Sequence, residues 1–178
     1  MRAPRWLLVV ALVALSQTAV MAELDPRQVD FLGLRLGMRL PSVVAVVSAQ
    51  GFGGQRLQQD DAPCPTDPSA RCVTLLTSAT KDGVLRIRFV APAGPGSETA
   101  WSIAYTLAGR GVGEPDVIRA TVLNRFGPPS GHDPLVWCAG TGSAGCNGAD
   151  QPRLTYQEGP DTSSTVTLID PGALHAAH

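Results

Sequence analysis

The chain reads as an α+β protein built from two tandem helix-plus-antiparallel-sheet halves, each with a short C-x7-C disulfide loop. Three observations predict this. The only four cysteines fall in "CPTDPSARC" (64–72) and "CAGTGSAGC" (138–146), with seven residues between partners each time. Each loop follows a helix-like segment closed by glycine, and each is followed by short alternating strands. That order occurs twice although no long stretch of letters does, so the repeat lies in spacing.

The first element is an export signal. "MRAPRWLLVVALVALSQTAVMA" places Arg2 and Arg5 before an apolar run that ends at Val20-Met21-Ala22, a small-residue cleavage pattern. The run is too short to span a bilayer comfortably, and no cysteine follows it to carry a lipid. The expected organisation is a signal peptide over 1–22, a first α+β half over 23–112, a second over 113–170 and a flexible tail over 171–178. Cleavage leaves 12 Lys+Arg against 15 Asp+Glu. A net charge of about −3 offers no footprint for nucleic acid or anionic lipid. No second apolar stretch is long enough for stable membrane insertion after cleavage, so a periplasmic or secreted product is expected.

In an exported chain an even cysteine count implies pairing. Zinc sites favour C-x2-C spacing with histidine nearby, and redox motifs are C-x-x-C; neither occurs here. Of three connectivities the local one, Cys64–Cys72 with Cys138–Cys146, is the expectation. Each closed loop contributes about 2–3 kcal/mol by restricting the unfolded chain.

In the first half, "LGMRLPSVVAVVSAQGF" (36–52) predicts a short helix, with Pro41 in its first turn, Val43, Val44, Val46 and Val47 on one face, and Gly51 as cap. "FGGQRLQQ" predicts a weak edge strand. Val73–Ser78 and Val84–Val90 flank Asp82-Gly83 as a hairpin, with Leu85, Ile87 and Phe89 on one face and Arg86 and Arg88 on the other. "WSIAYTL" (101–107) puts Trp101, Ile103, Tyr105 and Leu107 on one face.

The second half opens with "GEPDVIRATVLNRFGPP" (113–129), a helix with Glu114 and Asp116 in its first turn and Val117, Ile118, Val122 and Phe126 along one side. Gly127 and the following proline end it. "LVWC" (135–138), "RLTYQE" (153–158) and "TVTLID" (165–170) predict strands.

"GLRLGMRLPSVVAVVSAQGF" and "DVIRATVLNRFGPP" resemble the helix-opening phrases of the BamE/SmpA-type and beta-lactamase-inhibitor-protein-like (BLIP-like) folds, over about residues 31–170. The lipid-attachment cysteine of BamE-type lipoproteins is absent. The resemblance implies a small exported module that uses its sheet face or loops to bind another macromolecule.

The chemical motifs are weaker. Gly109, Gly111 and Gly113 lack the dinucleotide spacing, and Glu114 and Asp116 oppose a phosphate there. His132 beside Asp133 forms a polar turn or an acid–base pair, and His175 with His178 supplies two metal ligands where a closed site needs more. "GTGSAG" lacks the strand–turn–helix context of a nucleophile elbow. Glu98, Glu158, Asp161 and Asp170 are scattered. These readings leave no catalytic residue, metal or cofactor to expect. The partner-binding candidates are Arg86 and Arg88, for an acidic partner, and the aromatics Trp101, Tyr105, Trp137 and Tyr156, with Trp137 and Tyr156 favoured beside the second loop. The expected function is a non-enzymatic module binding a protein partner in the envelope, as adaptor or as inhibitor of an extracytoplasmic enzyme. A small-molecule carrier and an uncharacterised hydrolase are the alternatives.

Overall fold

A computed structural model describes residues 24–50, 57–79, 83–107, 115–132, 134–138, 146, 148–159 and 163–175. The expected signal peptide, Gly51, Asp133 and His178 lie outside these residues. The fold is α+β with one antiparallel sheet.

After a 3-10 turn at Pro26–Gln28 comes α1 (Leu40–Ala49). Its four valines are poor helix formers, so packing must carry it. Val43 and Val47 are fully buried, and Val44 and Val46 pack beside them. Four strands follow: β1 (Gln58–Pro63), β2 (Arg71–Ala79), β3 (Gly83–Val90) and β4 (Thr99–Leu107). Helix α2 (Pro115–Phe126) opens a second group with β5 (Gly131–His132), β6 (Leu135–Cys138), β7 (Arg153–Glu158) and β8 (Ser164–Ile169). Gly127, at φ +74°, closes α2 through its N–H to the Leu123 carbonyl at 2.8 Å. On α2, Val122 is buried and Ile118 and Phe126 pack against the core, whereas Val117 is 59% exposed. Val117 therefore leaves the apolar side expected of it: four residues cannot all share one stripe when 117 and 118 lie about 100° apart on the helix.

The strands run in the order β1-β2-β3-β4-β8-β7-β6-β5. The two groups are thus not separate sheets. They join edge to edge where β4 and β8 pair antiparallel, from Ser102↔Ile169 to Leu107↔Ser164. β1 lies later than expected, at 58–63, with its residues largely exposed, as suits an edge strand bearing Asp60, Asp61 and Pro63. Glycine is required at 83 because a Cβ there would collide with the Thr106 carbonyl oxygen across the β3–β4 pair.

Alternation gives the sheet two faces. Leu85 and Ile87 on β3, Ile103 on β4, Leu168 on β8 and Leu154 on β7 share one face, are fully buried, and belong to the same core cluster as the helix valines. The β3–β4 register shifts between Arg88 and Phe89, with Trp101 as the extra residue on β4, so that Ala100 rather than Trp101 sits opposite Phe89. Trp101 therefore leaves the row with Ile103 and Tyr105. The expected tail contains a short helix, α3 (Gly172–His175), preceded by the buried Asp170. The Arg27 Nε donates to Asp170 at 2.7 Å and ties the N-terminal turn to this end.

Both expected disulfides are present, Cys64–Cys72 and Cys138–Cys146, with Cα separations of 5.1 and 5.7 Å. They suit a chain that folds in an oxidising compartment. No helix among the described residues is long and apolar enough to cross a membrane.

Candidate binding surface

The face opposite the helices is covered by no described element, and register fixes its rows. One row runs Arg88–Ser102–Ile169–Arg153, across β3, β4, β8 and β7. The next runs Arg86–Ala104–Thr167–Thr155. A third holds Thr106 and Thr165, whose hydroxyls lie 3.0 Å apart, which places both on this side. The floor formed by β4 and β8 is therefore short and mostly hydroxyl-bearing, while long arginines stand on β3 and β7. Ser102, in this floor, is buried.

The arginines of this face differ from most of the others. Arg27, Arg35, Arg39, Arg71 and Arg125 each donate a side-chain hydrogen bond, to Asp170, Asp30, the Gly96 carbonyl, the Asp61 carbonyl and the Asp30 carbonyl respectively. Arg86, Arg88 and Arg153 have no hydrogen-bond partner among the described residues. Arg86 and Arg88, expected from sequence to point outward, are exposed here. Arg153 was missed, because one arginine at the start of "RLTYQE" gives no sign that β7 lies three strands from β3. Pairing alone brings them together.

Trp137 and Tyr156 do not reach this surface. Each is 2% exposed, on the covered face beneath α2. The Trp137 indole N–H donates to the Gly127 carbonyl at 3.0 Å, and its ring meets Phe126 edge-on at 6.1 Å between centroids. The Tyr156 hydroxyl lies 3.2 Å from the Ser164 hydroxyl and 3.4 Å from a Glu158 carboxylate oxygen. Burial raises the Tyr156 phenol above its ordinary pKa, and the negative Glu158 pushes the same way, against the Ser164 bond and the charge of Arg119. These two side chains are core anchors, and their expected role against a partner is corrected: a ring with no accessible surface has none to offer. Tyr105 is half-buried on the same covered face, opposite Leu85 and Val166.

The end of the sheet at which β1 and β8 finish carries further features. The first stapled loop connects β1 to β2 there, and the second leaves β6 at the same end, because Pro63 pairs Arg71 while Cys138 pairs Arg153 and Arg153 pairs Ile169. In the first loop the Asp67 carboxylate accepts from the Ser69 N–H at 3.0 Å and the Ser69 hydroxyl at 2.6 Å, which lowers its pKa. Residues 139–145 of the second loop lie outside the described residues. His175 Nδ1 lies 2.8 Å from Asp150, both exposed, and the two are charge-paired when the imidazole is protonated. Glu98 and Asp170 are buried at this end, while Glu158 lies at the other and Asp161 lies outside the described residues. Among the described residues no group of three His, Cys, Asp or Glu is placed to hold a metal. No protein-family model, curated protein or solved structure matches the chain.

Proposed function

We propose that this is an exported, periplasmic or secreted, non-enzymatic protein-binding module, and that its partner docks on the open face of the sheet. One observation carries the reading: helices cover one side of the sheet, and the other side gathers three arginines with no hydrogen-bond partner among the described residues. Leaving a guanidinium group unpaired is common at random; finding three, two exposed and one half-buried, in neighbouring rows of one uncovered face is the pattern of a surface awaiting an acidic partner.

The two strand groups are read as two tandem copies of one αββββ unit related about the β4–β8 seam. The element order α1-β1-β2-β3-β4 and α2-β5-β6-β7-β8, with the last strand of each group meeting at the centre, supports this. It agrees with the resemblance to BamE/SmpA-type and BLIP-like folds. Within the binding reading, inhibition of an extracytoplasmic enzyme draws support from the two stapled loops at one end of the sheet, since covalently closed loops lose little conformational entropy on docking.

Site-specific cross-linking tests the surface. A photoreactive residue at Ala104, in the floor of the open face, should form an adduct with an envelope protein, and one at Arg119 on α2 should not. Adducts from position 119 alone, or from neither position, would sink the reading.

A further inference from the structure

The open face has a shape as well as a charge. The floor on β4 and β8 is mostly small or hydroxyl-bearing side chains, with Ile169 among them, and the walls are Arg86 and Arg88 on β3 and Arg153 on β7. Between the two walls lie three strand spacings, about 14 Å. Each arginine spans much of half that width, so Arg88 and Arg153, in the same row across Ser102 and Ile169, face a common occupant from opposite sides.

We propose that this trough binds a carboxylate-rich segment of a partner protein, held from both sides by Arg88 and Arg153 with Arg86 alongside. The inference rests on the open face being the docking surface and adds the chemistry of what docks. Two features select the class. A guanidinium fork matches a carboxylate with two parallel hydrogen bonds, and the floor hydroxyls of Ser102, Thr167 and Thr155 accept or donate beside it. Among the described residues this face carries three arginines against one acid, Asp60 on the edge strand, although the chain as a whole is slightly acidic.

The test uses the full disulfide-closed chain and a fluorescein-labelled twelve-residue oligoglutamate, read by anisotropy at low salt. Binding should weaken as salt rises. R88Q and R153Q should each weaken it about tenfold, the usual loss for a charge-assisted bond, with unchanged urea midpoints. R119Q removes the same charge from α2 and should leave affinity within about twofold. Equal losses in R88Q and R119Q would reduce the effect to net charge and overturn the proposal, as would no binding at low salt. Tighter binding of a size-matched heparin oligosaccharide through Arg88 and Arg153 would reassign the trough to a sulfated glycan and equally overturn it. Cross-linking from position 104 that survives R88Q and R153Q would defeat the carboxylate assignment alone. Loss of that cross-link in the wild-type background defeats the docking surface itself.

Discussion

Strand β3 shows both sides of the molecule within five residues. Leu85, Ile87 and Phe89 are packed into the core, while Arg86 and Arg88 between them are exposed and make no side-chain hydrogen bond among the described residues. The same contrast holds on β7, where Leu154 and Tyr156 are buried and Arg153 and Thr155 line the opposite side. Stability is thus concentrated on one face, and the other is left open to change its chemistry at little structural cost. Substitutions on the two faces should separate accordingly.

Trp137→Ala should have the largest effect, a loss of about 3–5 kcal/mol, because it empties a core site and orphans the contact that anchors the end of α2. Urea unfolding followed by far-UV circular dichroism measures it. Leu154→Ala, at the centre of the same face, should cost about 2–5 kcal/mol by the same assay. Tyr156→Phe should cost about 1 kcal/mol, since it keeps the ring and loses the hydroxyl contact with Ser164. The same variant reports on pH. The raised pKa of Tyr156 means that its stabilising contribution is whole below the pKa of an unfolded tyrosine and is lost as pH rises through the higher folded value. Wild type should therefore lose stability in that alkaline window more steeply than Tyr156→Phe. Arg86→Gln should shift the unfolding midpoint least, by no more than about 0.5 kcal/mol. A loss of several kcal/mol there would show that the open face carries structure and collapse the contrast.

Much of this was legible in the residues. β6 and β7 fall where "LVWC" and "RLTYQE" place them, because alternation between buried and exposed positions is a local property. The antiparallel pairing of β2 with β3 and the glycine stop after Phe126 are equally local. Pairing between distant strands is not local, and there the reading fell short. Two sheets were expected where the β4–β8 ladder makes one, and Arg153 gave no hint of its place opposite Arg88. Trp137 and Tyr156 misled for a related reason: an aromatic in a short strand reads the same whether its face is buried or bare.

The cysteines are the instructive case. Equal spacing suggested equivalent places in a repeat, yet one staple spans the β1–β2 connection and the other the β6–β7 connection, the first and second-to-third strand junctions of their groups. A C-x7-C interval reports only that a loop of that length closes on itself.

Those two junctions nevertheless emerge from the same end of the sheet, about 24 Å apart between centres by strand spacing. The opposite end joins β2 to β3, leads from β4 toward α2 and joins β7 to β8 through segments that contain no cysteine. The molecule accordingly has a cross-linked pole and a free pole. Under heat or mechanical load, fraying should begin at the free pole and travel toward the cross-linked one, and a reductant should erase that polarity before it unfolds the chain.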